Sequence, residues 1–182
     1  MLVTTSSFPT TRRRYQAIIR TGSASGFESE LSRADISGNV GLTISGIAAG
    51  DNLGAEVAGI GDFDGDGVQD FAIAATRVGD DKGEVYLLFG NRNGLPNEVD
   101  LARLPLTQGM TFTGVSADGL AGAAISGLGD VNNDGFVDLY WTSNHGGQRD
   151  YATNNSGGGL VKVLTTPIGT DSGEGLGAGW AD

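Results

Sequence analysis

The chain carries the same nine-residue acidic pattern twice, and the two copies begin 68 residues apart. The first copy reads Asp-Phe-Asp-Gly-Asp-Gly-Val-Gln-Asp at 62–70, and the second reads Asp-Val-Asn-Asn-Asp-Gly-Phe-Val-Asp at 130–138. Both place oxygen-bearing side chains at positions one, three, five and nine, with glycine at position six. A hard cation such as Ca²⁺ takes about six to eight oxygen ligands from a small volume. The pattern therefore predicts a tightly curled calcium loop that is repeated along the chain.

Each loop predicts one set of ligands, so two Ca²⁺ sites are expected. Gly67 and Gly135 allow the tight curl, because glycine adopts backbone angles that other residues enter only at a cost. The first set has one more formal negative charge, which predicts a tighter first site. The predicted ligands of the first loop are the side chains of Asp62, Asp64, Asp66 and Asp70 and the carbonyl of Val68. Those of the second are the side chains of Asp130, Asn132, Asp134 and Asp138 and the carbonyl of Phe136.

An EF-hand is the competing interpretation, because its loop opens with the same spacing. It requires a bidentate Glu at the twelfth position and a helix on each side. The twelfth position here is Ile73 or Trp141, and the flanking residues favour strands. The EF-hand is therefore excluded. Plain Asp-Gly or Asn-Gly turns with solvated carboxylates remain the metal-free alternative, although two full matches at a regular spacing are uncommon for such turns.

Composition narrows the fold class and the partners. With 182 residues the chain is long enough for a domain with a hydrophobic core. Its 32 glycines and few aromatic residues indicate short strands joined by tight turns. A net charge of −11 argues against nucleic acid and anionic membrane surfaces as partners. No stretch approaches the ~20 apolar residues of a membrane span.

The location of the protein is predicted from the calcium loops. Exposed loops of modest affinity suit the millimolar calcium outside cells, so an extracellular or cell-surface location is expected. No signal peptide is visible, because the basic run 12–14 is followed only by the short, mildly apolar segment 15–19. We therefore expect that the export signal lies elsewhere or that the chain is a segment of a longer protein.

The repeat extends beyond the two loops and predicts four strands in each unit. Segment 42–47 matches segment 110–115 at the same spacing of 68 residues. The acidic loop is predicted to connect the second and third strands of a unit, and residues 143–159 are predicted to form a long polar surface loop. The predicted strands are 41–47, 55–60, 70–75 and 84–89 in the first unit and 110–115, 123–128, 138–142 and 160–164 in the second.

These residues resemble the FG-GAP repeats of the integrin alpha-subunit β-propeller. Each repeat of that family has a Phe-Gly pair, a D-x-[DN]-x-[DN]-G-x-x-D calcium loop and a Gly-Ala-Pro segment. Leu53-Gly54 and Leu120-Ala121 stand here at the Phe-Gly position. The segments 74–76 and 142–144 replace Gly-Ala-Pro, and the resemblance covers about residues 26–164.

The resemblance implies an all-β fold of β-propeller blades, each with four antiparallel strands. About two complete units are expected, with partial units at both ends. The implied division is a partial preceding unit or N-terminal extension at 1–25, a first blade at 26–94, a second blade at 95–164 and the start of a third unit at 165–182.

The resemblance also implies a binding function with calcium in a structural role. The expected partners are a protein or glycan ligand outside the cell, or copies of the chain itself, in a homo-oligomer or as part of a longer chain. One alternative is the non-catalytic propeller region of a secreted hydrolase or lipase-type enzyme, and another is a calcium-dependent subunit that assembles into rings or fibres. The chain itself is not expected to be an enzyme, because no nucleophile–base motif surrounds its single histidine, His145.

Overall fold

The computed structural model describes residues 15–20, 41–94, 96, 98–131 and 133–143, together with the backbone of strands at 3–5, 153–155 and 160–162. Within these residues the fold is all-β, as predicted, with one short helical turn at Val78–Asp81 and a 3₁₀ turn at Leu101–Arg103. The strands are β1 Val3–Thr5, β2 Gln16–Arg20, β3 Gly41–Ser45, β4 Leu53–Gly61, β5 Asp70–Ala75, β6 Glu84–Leu88, β7 Glu98–Asp100, β8 Gly109–Thr113, β9 Ala124–Gly129, β10 Asp138–Thr142, β11 Thr153–Asn155 and β12 Leu160–Lys162.

The described strands form three sheets of four strands each. The first sheet has the order β1-β2-β3-β7, the second β4-β5-β6-β8, and the third β9-β10-β11-β12. Neighbouring strands are antiparallel, except that β7 runs parallel to β3. The acidic loops connect β4 to β5 and β9 to β10, so each joins two neighbouring antiparallel strands of one sheet. Each loop joins the first and second strands of its sheet, whereas the second and third were predicted.

The second sheet lies between the other two and is buried on both faces. Phe71, Ile73 and Ala75 of β5 belong to the core shared with the first sheet. Ala72 and Ala74 belong to the core shared with the third sheet, where Phe112 and Trp141 have ring centroids 4.9 Å apart. All six residues of β5 are buried, which explains why its sequence is continuously apolar after Asp70.

The predicted grouping of the strands was wrong by one strand. The segment predicted to open the first unit forms β3 and belongs to the first sheet, whereas β8 completes the second sheet with five residue pairs to β6. A strict repeat does not show which four consecutive strands form one sheet, because every 68-residue window contains the same set of strands. Backbone pairing between distant segments decides it. The boundaries 26–94 and 95–164 rest on the sequence repeat and stay predictions.

Four of the described strands were not predicted. They are β1 and β2, which lie in the segment 1–25 that was predicted to be a partial unit or an N-terminal extension, and β7 and β11. The three residues of β7 pair with the first sheet, and β11 lies inside the segment that was predicted to be a surface loop. Both strands are only three residues long, too short to show an alternating pattern. The remaining predicted strands agree with the structure to within a few residues, and β5 and β10 agree at both ends.

Candidate metal centre

The first acidic loop brings three carboxylates together. Asp62, Asp64 and Asp70 each offer one oxygen, and these oxygens lie within 4.8 Å of one another. Two oxygens bound to one Ca²⁺ at about 2.4 Å can be no more than about 4.8 Å apart, so the group is compact enough to share a cation. The structure thus assembles three of the four predicted side-chain ligands of this loop. Asp66 lies outside the group, and its Oδ1 accepts a hydrogen bond from the N–H of Val68 at 2.7 Å.

The loop is curled by hydrogen bonds from its own backbone to its own carboxylates. The Gly67 N–H donates to Oδ2 of Asp62 at 2.8 Å, and the Asp66 N–H donates to Oδ1 of Asp64 at 3.2 Å. Gly67 has a φ of +85°, in the left-handed region that glycine enters without a steric penalty. Side chains of Asp commonly close turns in this way. The same residues that could bind a metal therefore also shape the loop.

Asp70 ties the two ends of the loop together. Its side chain is 2% exposed. Oδ2 accepts hydrogen bonds from the N–H groups of Phe63 at 2.7 Å and Asp64 at 3.3 Å, and Oδ1 accepts one from Gly90 at 2.7 Å. Burial raises the pKa of the Asp70 carboxyl above its usual value, while the hydrogen bond from Gly90 and those from the loop act in the opposite direction. A nearby cation would favour the ionised form of this carboxyl.

Each acidic loop contains a buried carboxylate oxygen that has no hydrogen-bond partner. Oδ1 of Asp62 is buried and has no hydrogen-bond partner, and the same holds for Oδ1 of Asp138 in the second loop. A buried carboxylate oxygen without a donor loses its hydration and gains nothing in return. A bound cation would supply the missing partner. The donor set consists of hard oxygens, so the loops fit Ca²⁺.

The second loop repeats the backbone design of the first. Asp130 accepts hydrogen bonds from the N–H groups of Asp134 at 3.0 Å and Gly135 at 2.9 Å, and Asp138 accepts one from Val131 at 3.0 Å. Asn132 lies outside the described residues. Among the residues that the structure describes, three converging acids occur in the first loop alone. The carbonyls of Val68 and Phe136 stay predicted ligands.

The two loops differ in how they are anchored. Phe63, at the second position of the first loop, is 1% exposed and packs in the core between the second and third sheets. Val131 holds the same position in the second loop and is 44% exposed. Phe63 was not among the predicted site residues, although a large apolar side chain within an acidic loop is a usable signal. The first loop is therefore fixed to the core by a side chain that the second loop lacks.

Two contacts to the first loop come from outside the repeat pattern. The Gly90 N–H reaches Asp70, and Nη2 of Arg92 donates to the Asp66 carbonyl at 2.7 Å. These residues follow β6 and are separated from their partners by 20 and 26 positions. No local pattern in the sequence pointed to either of them.

Comparison with known families supports the resemblance drawn from the motifs. The family model of the FG-GAP repeat matches residues 54–88, which run from β4 to the end of β6 and contain the first acidic loop. This segment matches an FG-GAP repeat, which is consistent with the resemblance to the integrin alpha family, and such repeats are typical of extracellular proteins. The second loop lies outside the matched residues. The search of curated proteins gives no significant match.

In the part of the chain that the structure describes, no helix has the length and apolar character needed to cross a lipid bilayer.

Proposed function

We propose that the chain is a calcium-binding β-propeller module that serves extracellular protein interaction, adhesion or assembly. The observation that carries the proposal is the convergence of Asp62, Asp64 and Asp70, and the buried Oδ1 of Asp62, which has no hydrogen-bond partner, supports it. Three successive four-stranded sheets that pack face to face support a propeller arrangement. The proposal gives the chain a binding role and no catalytic one.

Calcium has a structural role in this proposal. Asp62, Asp64 and Asp70 would hold the ion in the first loop, with Asp66 and the carbonyl of Val68 as further ligands. The ion supplies positive charge where several carboxylates otherwise repel one another. The loop joins β4 to β5, the strand that is buried between the two neighbouring sheets. Fixing this connection holds the loops at one end of the sheet in a constant shape for a protein or glycan partner.

Removal of calcium is expected to lower the thermal stability of the protein. At free calcium near 100 times Kd, binding stabilises the folded state by about 2.7 kcal/mol for one site. For a chain of this size that corresponds to a rise in Tm of about 5–10 °C. The measurement is a thermal melt in chelator, in calcium and in magnesium. Magnesium is the control, because it requires a smaller and more regular ligand shell. A Tm that chelator leaves unchanged would contradict the proposal.

The two sites are expected to differ in affinity, with the first the tighter. Titration calorimetry of Asp130→Ala should report the first site, and titration of Asp62→Ala should report the second. We expect at least a several-fold lower Kd in Asp130→Ala, since the first loop has one more carboxylate. Glu98→Gln, an exposed change outside both loops, is the control and should bind two ions. Equal affinities in the two loop variants would refute the predicted difference.

A further inference from the structure

The connection between β6 and β8 contacts two different sheets. Around its ends the two strands remain paired, with Leu88 opposite Gly109 and the Phe89 N–H donating to the Gln108 carbonyl at 2.9 Å. Between these points the chain leaves the second sheet. It then forms β7, which pairs in parallel with β3 of the first sheet. A single connection therefore links the second sheet, which carries the first acidic loop, to the first sheet.

The first residues of this connection contact the first acidic loop. Gly90 and Arg92 donate hydrogen bonds of 2.7 Å to Asp70 Oδ1 and to the Asp66 carbonyl. A Cβ atom on Gly90 would lie 2.5 Å from the Gln69 carbonyl oxygen, and one on Gly67 would lie 2.4 Å from Nη2 of Arg92. Neither distance is sterically possible without a shift. Gly90 thus permits a close backbone approach that any larger residue would prevent, whereas a larger residue at Gly67 would displace the flexible end of the Arg92 side chain.

The far end of the same connection is buried against the first sheet. Val99 of β7 is 6% exposed and Leu101 is 4% exposed, and both belong to the core between the first and second sheets. Val99 stands opposite Ile44 in the parallel pairing. Oδ1 of Asp100 accepts a hydrogen bond from the Ala102 N–H at 3.1 Å, which caps the 3₁₀ turn that follows.

We propose that Gly90 and Arg92 are positioning residues of the first metal site, and that calcium in loop 62–70 strengthens the pairing of β7 with the first sheet. The inference rests on the calcium-binding function proposed above. A cation that orders Asp70 and the Asp66 peptide fixes the acceptors on which Gly90 and Arg92 depend. The start of the connection is then fixed in position. The connection therefore has fewer alternative conformations that compete with the pairing of β7 to the first sheet. By linkage, docking of this connection must favour calcium binding to the same extent.

Hydrogen exchange on the full chain tests this coupling. At free calcium near 100 times Kd, exchange of the amides at 98–103 should slow by about tenfold or more, within the limit of about 100-fold that linkage allows. In Arg92→Met, calcium should bind several-fold more weakly. Its slowing effect should persist at 62–70 but disappear at 98–103. Arg103→Met, which removes an exposed arginine beside β7, is the matched control and should behave as the unmodified chain.

Each outcome separates this inference from the proposed function. If the unmodified chain binds no calcium, the proposed function fails and the inference with it. If calcium binds but exchange at 98–103 is unchanged, only the inference is overturned. Arg92→Lys keeps a cationic donor and should restore part of the coupling. If calcium slows exchange at 98–103 no more in Arg92→Lys than in Arg92→Met, the assignment of Arg92 as a hydrogen-bond donor to the loop is overturned.

Discussion

Phe63→Ala is expected to lower the free energy of unfolding by about 3–5 kcal/mol, although Phe63 lies within a polar loop. The side chain is 1% exposed and belongs to the core between the second and third sheets, which also includes Ile60 and Leu139. Truncation removes a buried aromatic ring and leaves a cavity that rigid strands on both sides cannot close. The measurement is denaturant unfolding in chelator, which separates the packing effect from calcium binding.

Val131→Ala is the matched control for Phe63→Ala. It changes the same position of the second loop, where the side chain is 44% exposed. We expect a change in the free energy of unfolding within about 0.5 kcal/mol, as is usual for exposed sites. Equal losses in the two variants would contradict the assignment of Phe63 as the specific anchor of the first loop.

Asp70→Ala should cost stability even when no calcium is present. The Asp70 carboxylate accepts three backbone hydrogen bonds, from Phe63, Asp64 and Gly90, and it is almost fully buried. Each donor left without an acceptor costs about 1–3 kcal/mol when buried. Relief of the desolvation that raises the pKa of Asp70 offsets part of this cost. We expect a net loss of about 2–4 kcal/mol in chelator, together with the loss of calcium binding at the first loop.

Asp66→Ala distinguishes the metal role from the structural role. Asp66 is exposed, and its side chain accepts one hydrogen bond within the loop. Its removal should weaken calcium binding but lower the stability of the calcium-free protein by no more than about 1 kcal/mol. The comparison requires unfolding curves with and without calcium for both variants. If Asp66→Ala is as destabilising in chelator as Asp70→Ala, the distinct role given to Asp70 is wrong.

Features set by short stretches of sequence could be predicted. The ends of β5 and β10 agree with the structure, because each strand starts at the last acid of its loop and continues as an apolar run. The convergence of Asp62, Asp64 and Asp70 also follows from spacing, since a nine-residue curl with glycine at Gly67 leaves these carboxylates few directions in which to point.

Features that depend on distant segments could not be predicted. The repeat did not reveal that β3 pairs in the first sheet while β8 completes the second. Gly90 and Arg92 gave no signal, because their partners at Asp70 and Asp66 are adjacent only after β6 folds back beside β5. A sequence records which backbone groups exist, but their pairing across sheets depends on the packing of the whole core.

The sequence by itself determined that this chain has all-β structure and a repeated acidic loop, the first copy of which lies in the segment that matches the FG-GAP repeat, because strand periodicity and ligand spacing are local properties of the chain. Only the tertiary structure decided how these parts are held. It buries Phe63 and Asp70, and it brings Gly90 and Arg92 onto the first loop. The physical reason is that burial and long-range hydrogen bonds arise from neighbours that sequence distance does not specify.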